Sequence, residues 1–121
     1  MNRQEANELV QRQAHAWEQA DTNAVIADFA PDGILISPGG QWRGHESLRE
    51  GIEAFFAASS DIKIAITRVL IDGEQGAVEW TWNETKKSTG RRQTVDDAII
   101  FSVRGGKITS WREYFDTGKA G

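Results

Sequence analysis

Apolar residues recur at helical spacing through the first sixth of the chain. Ala6, Val10, Gln13 and Trp17, flanked by Leu9, Ala16 and Ala20, predict a helix over residues 2–20. Asp21 is placed to cap a short second helix carrying Ala24, Val25, Ile26 and Phe29, and Pro31-Asp-Gly33 predicts its end and a turn. A short apolar run, Ile34 to Ser37, reads as a strand, and Pro38-Gly-Gly40 as a loop. Gly44 then opens a third helix whose buried stripe is Leu48, Ile52, Phe55 and Phe56.

Beyond Ser59-Ser60 the period changes from helical to alternating. Ile62, Ile64 and Ile66 share one face, whereas Val69 and Ile71 continue on a frame shifted by one residue, which predicts a bulge near Arg68. Asp72-Gly73 is a hairpin signal. Strands follow over residues 77–87, 91–103 and 107–115, joined by turns at Ser88-Thr-Gly90 and Arg104-Gly-Gly106. The tail from Gly118 to Gly121 is expected to fray. Helices first and long consecutive hairpins after predict one α+β domain over residues 1–121, an antiparallel sheet with helices on one face. Strands this long coil strongly, and a curved sheet leaves room for a cavity beneath its helices.

Alternation also assigns faces. Val95, Asp97, Ile99, Phe101 and Val103 form the more apolar face of their strand, which places Asp97 inward and Asp96 outward. Val78, Trp80, Trp82 and Glu84 form the inward face of the preceding strand. Periodicity alone does not orient the last strand, where Thr109, Trp111, Glu113 and Phe115 oppose Ile108, Ser110, Arg112 and Tyr114. The arrangement points to a carboxyl group, Asp97, in a pocket walled by Trp80, Trp82, Phe101 and Trp111. Desolvation there raises the pKa and suits the group to proton transfer, with Glu113 a second carboxylate beside it. The structural alternative is an Asp97 paired with an Arg, such as Arg68 or Arg112, or accepting backbone N–H bonds. Trp17 and Trp42 are each core or pocket rim, and Phe55 of the third helix is a further substrate-binding candidate.

Composition narrows the function. The chain has 121 residues, no cysteine and a net charge of −4, so disulfides and thiolate metal sites are excluded and non-specific nucleic-acid binding is disfavoured. No run approaches the ~20 apolar residues of a membrane span, and the polar start predicts a cytoplasmic protein. The only histidines, His15 and His45, lack metal-ligand spacing; no phosphate loop or nucleophile elbow occurs, so neither a metal nor a cofactor is expected.

The Trp17 helix, the turn Asp28-Phe-Ala-Pro-Asp-Gly33, Gly44 and the run Gly106-Lys-Ile through Trp111-Arg-Glu-Tyr-Phe-Asp116 resemble the SnoaL-like proteins of the nuclear transport factor 2-like superfamily. Their relatives include polyketide cyclases, ketosteroid isomerases and limonene-epoxide hydrolases. The resemblance implies a cone-shaped barrel, a strongly curved, mostly antiparallel sheet with three helices in its concave face, a deep apolar pocket and a homodimer formed through the outer sheet face. Glu113 stands where the epoxide hydrolases carry a catalytic Asp. Their Arg and Asp fall on Trp80 and Trp82, and their first-strand Tyr and Asn on Ile34 and Ile36, which makes those four side chains pocket candidates. Asp97 is close to the acid–base Asp of the cyclases. The expected activity is cofactor-free isomerase- or cyclase-type proton transfer on a small apolar carbonyl compound. Two alternatives are a ligand-binding or interaction module and an epoxide hydrolase with an altered catalytic set.

Overall fold

The computed structural model describes residues 1–117; the predicted fraying of residues 118–121 lies outside them. Three helices, α1 (Arg3–Glu18), α2 (Thr22–Ala27) and α3 (His45–Ala58), combine with six strands, β1 (Phe29–Ser37), β2 (Gly40–Arg43), β3 (Ser59–Asp72), β4 (Gln75–Lys86), β5 (Arg92–Arg104) and β6 (Lys107–Tyr114). The strands form one curved, unclosed sheet in the order β2-β1-β6-β5-β4-β3. All pairings are antiparallel except β1 with β6.

Local chemistry accounts for the element ends. Asn2 and Glu5 form a reciprocal capping box at the start of α1, and the Asp21 side chain accepts from Ala24 N at 3.1 Å to cap α2. The expected bulge falls between Ile66 and Arg68, where the β3–β4 register shifts. The Asp72-Gly73 hairpin forms with Gly73 at φ +63°.

The N-terminal half departs from the expectation in two ways. Phe29 and Pro31-Asp-Gly33 belong to β1 rather than to the end of α2, with an irregular register between Phe29 and Ile34. Gly33 permits the close parallel approach of β6, since a Cβ there would stand 2.7 Å from the Ile108 carbonyl oxygen. Gly40, anticipated as loop, and Gln41 to Arg43, for which no element was anticipated, pair with Ser37 back to Ile34 as β2. A four-residue strand with one apolar side chain is too short for alternation to register.

The core lies between the concave face and the helices. Leu9, Val10, Val25, Leu48, Ile52, Val78, Ile99 and Ile108 are buried in it, together with Trp80, Phe101 and Trp111. The convex face leaves Leu70, Ile100 and Tyr114 exposed. Among the described residues no helix is long and apolar enough to cross a membrane.

A carboxyl pair in an apolar cavity

A cavity of about 500 Å³ opens between α3 and the concave face, within the range typical of small-molecule sites. Its helical side is Trp17 from α1 and Leu48, Ile52 and Phe55 from α3; its sheet side includes Leu35, Trp82, Val95, Asp97 and Glu113. Trp42 of β2 lies against Gly51, where a Cβ would meet the indole Nε1 at 2.5 Å, so glycine on that helical face makes room for the ring at the cavity wall.

Strand parity places the two acids. In β5, Asp97 is 5% exposed and Asp96 points outward, where it accepts from Thr81 Oγ1. In β6, Trp111 is fully buried and Glu113 lines the same cavity, while Tyr114 faces out. The registers Trp80↔Asp97 and Ile99↔Glu113 bring the carboxyls together across the β5–β6 pair. Each accepts one indole N–H: Trp80 Nε1 donates to Asp97 Oδ2 and Trp111 Nε1 to Glu113 Oε2, both at 3.2 Å. Asp97 Oδ1 is buried without a partner at hydrogen-bond distance and angle.

Neither cation offered by the sequence reaches Asp97. Arg68 pairs with Glu79 at 3.2 Å, and the Arg112 guanidinium lies 5.8 Å from the Tyr114 ring centre. Burial therefore acts on the carboxyls without an opposing positive charge. It pushes the Asp97 carboxyl above its ordinary value, against the contact with Glu113, the Trp80 N–H and the backbone N–H of Tyr114, which favour its charged form. Glu113 is held well above the carboxylate range, by desolvation first and then by its hydrogen bond with Asp97 and that group's charge, with the Trp111 N–H opposing. Two carboxylates cannot hydrogen-bond without a proton between them, so the pair holds one well above the pH at which free carboxyls lose theirs.

Linkage gives this a stability signature. The unfolded chain loses these protons near pH 4, whereas the folded pair keeps them to higher pH. The stabilising contribution is thus full below the unfolded values and is lost as pH rises through the folded ones. Urea unfolding of an Asp97→Asn/Glu113→Gln double variant should show an advantage over the parent that grows from pH 4 to pH 8. An advantage constant across that interval would contradict the raised values.

The other candidates divide. Trp17, Trp42, Phe55 and Trp82 line the cavity. Trp80, Phe101 and Trp111 do not; they are packed behind its wall in a row of ring contacts, Phe101 to Trp111 at 5.5 Å and Trp111 to Trp80 at 5.9 Å, and the latter two serve the site through their N–H groups. Ile34 and Ile36 also lie outside the lining, because Leu35 pairs with Trp42 and Trp111 on the inward face and its neighbours take the opposite one. His45 contacts the Phe29 carbonyl oxygen at 2.9 Å, away from the lining residues. Among the described residues no group of three His, Asp or Glu side chains is arranged to hold a metal. One residue not singled out from sequence is a third acid lining the cavity: Glu84, 6% exposed, whose Oε1 accepts from Trp82 Nε1 at 3.1 Å.

The curved, unclosed six-stranded sheet with three helices matches the cone-shaped α+β fold of the nuclear transport factor 2-like proteins. The sequence profile of the SnoaL-like domain matches residues 10–111, and the chain belongs to that family. Among solved structures it is similar to a protein of ketosteroid isomerase-like fold from Catenulispora acidiphila, crystallised with trimethylamine, at 24% identity and a TM-score of 0.87 over 93% of this chain and 88% of that one. It is also similar to a nuclear transport factor 2-like protein from Burkholderia xenovorans, at 28% identity and 0.78 over 98% and 95%. A candidate polyketide cyclase from Xanthomonas campestris matches at 21% and 0.89 over 99% and 96%. No curated protein matches the chain.

Proposed function

We propose that this protein is a cofactor-free acid–base enzyme that moves a proton at the carbon next to the carbonyl of a small, mainly apolar compound. The observation that carries the reading is the Asp97–Glu113 pair: two carboxyls in contact, in an apolar cavity, with no cation between them among the described residues. Such an environment separates the two groups into a base and an acid. Asp97, the less strongly raised, is the base: its carboxylate takes the α-proton as the C–H bond breaks. Glu113, the more strongly raised, keeps its proton and donates a hydrogen bond to the carbonyl oxygen, where the enolate charge collects. Return of the proton to the same or a conjugated carbon gives exchange or isomerisation with nothing consumed. The kinship with a candidate cyclase and an isomerase-like fold supports the reaction class and leaves the substrate open.

The test is α-proton exchange in D₂O, followed by proton NMR on 1-tetralone and 4-acetylbiphenyl. Loss of the α signals at least about tenfold faster than in buffer is expected. Binding of both ketones with exchange no faster than buffer would replace this reading with a non-catalytic binding protein.

A further inference from the structure

Glu84 and Trp17 leave a second polar feature in the cavity that the proton-transfer reading does not use. The Glu84 carboxylate is almost wholly buried. Its Oε1 is engaged by Trp82 Nε1 at 3.1 Å and Gln93 Nε2 at 3.4 Å, and its Oε2 has no partner. The Trp17 indole, 7% exposed, likewise has an unpartnered Nε1. Both residues line the cavity, and the Trp17 ring stands 5.6 Å from the Trp82 ring whose N–H holds Glu84. The end of the cavity where Glu84 stands, which Ser59, Lys86 and Gln93 also line, therefore carries an unmet acceptor and an unmet donor. The terminal torsion of a glutamate is soft, so turning Oε2 toward a ligand meets little resistance.

We propose that this end of the cavity receives a hydroxyl group, so that the substrate is an elongated, mainly apolar carbonyl compound with a hydroxyl at the end remote from its carbonyl. A hydroxyl both donates and accepts, so one group can satisfy Glu84 Oε2 and Trp17 Nε1 together. An alkylammonium only donates and would leave the indole unmet; an ionised carboxylate only accepts and, though Lys86 also lines the cavity, would leave Glu84 Oε2 unmet. The registers Glu84↔Gln93 and Trp80↔Asp97 set the two polar ends four residues apart along the strands, roughly 13 Å at ~3.3 Å per residue. That span suits a two-ring molecule. The inference rests on the preceding reading only for which end takes the carbonyl.

The experiment compares 4-acetylbiphenyl with 4-acetyl-4′-hydroxybiphenyl by tryptophan fluorescence titration of the parent, Glu84→Gln and Glu84→Leu proteins. The parent should bind the hydroxylated probe about tenfold or more tightly, as expected for a hydrogen bond to a buried charge. Glu84→Gln should shrink that preference, and Glu84→Leu should abolish it while binding the plain ketone at least as well. Equal affinities in the parent, a preference that survives Glu84→Leu, or no binding of either probe would overturn the proposal. Exchange at the acetyl group, measured in the same samples, separates the two readings. A Glu84-dependent preference without exchange removes the acid–base assignment and leaves this one standing; exchange without the preference does the reverse.

Discussion

Replacing Asp97 by asparagine should lower catalysed α-proton exchange by about 10²–10⁴-fold, the usual contribution of a positioned general base, with no loss of thermal stability at pH 8. Asparagine keeps the volume and an oxygen for the Trp80 N–H, so the packing around the site is retained. It also removes a charge whose burial outweighs the contacts that favour it, since the Asp97 carboxyl is held above its ordinary value. Only the basic oxygen is lost. Glu113→Gln should cost less, about 10–100-fold, because the amide N–H still donates to the carbonyl oxygen, though more weakly than a carboxylic acid. The pH profile separates the two roles. In the parent, activity should rise as Asp97 ionises and fall as Glu113 loses its proton, with both limbs above the ordinary carboxylate range. In Glu113→Gln the falling limb should vanish. An Asp97→Asn protein that exchanges normally, or a rising limb at the ordinary carboxylate value of ~4, would end the base assignment.

Much of this site was legible because strands expose parity. Two adjacent aspartates on an otherwise apolar strand can have only one member inside, and the neighbours Ile99 and Phe101 identify Asp97 as that one. The bulge in β3 was visible for the same reason: the apolar set changed frame. Parity failed where the sequence does not alternate. Ile34-Leu35-Ile36 is apolar throughout, so nothing local says that Leu35 faces the cavity; that follows from its pairing with Trp111, a contact spanning most of the chain. Parity also does not measure depth. Trp80 and Trp82 share a face, yet only Trp82 reaches the cavity, because ring packing against Trp111 holds Trp80 behind the wall. Glu84 had a signal that was available. Trp82-Asn-Glu84 repeats the spacing of Trp111-Arg-Glu113, and in both the indole N–H reaches the carboxylate two residues on. A tryptophan and an acid on one strand face at this spacing form a self-contained way to bury a carboxylate with one hydrogen bond met.

Trp111→Ala should cost about 3–5 kcal/mol of folding stability, as large aromatic deletions in cores do, a large share of the ~5–15 kcal/mol typical of a domain. Trp111 is fully buried, pairs with Leu35 and Phe101 across two strands, and stacks obliquely on Phe101 and Trp80. It closes the parallel β1–β6 seam, so the cavity left by alanine would lie under the line that joins the two halves of the sheet. A loss below about 1 kcal/mol by urea unfolding would show that the surrounding rings collapse into the space. Trp111→Phe divides the packing role from the electrostatic one. Phenylalanine fills much of the volume but cannot donate, and the Trp111 N–H is the contact that favours the charged form of Glu113. Without it the Glu113 pKa should climb further, and the falling limb of the pH–exchange profile should move to higher pH. The rising limb, set by Asp97 and the Trp80 N–H, should shift less. A Trp111→Phe profile with an unmoved falling limb would mean that Glu113 does not hold the catalytic proton, and the acid would have to be sought in Asp97 itself.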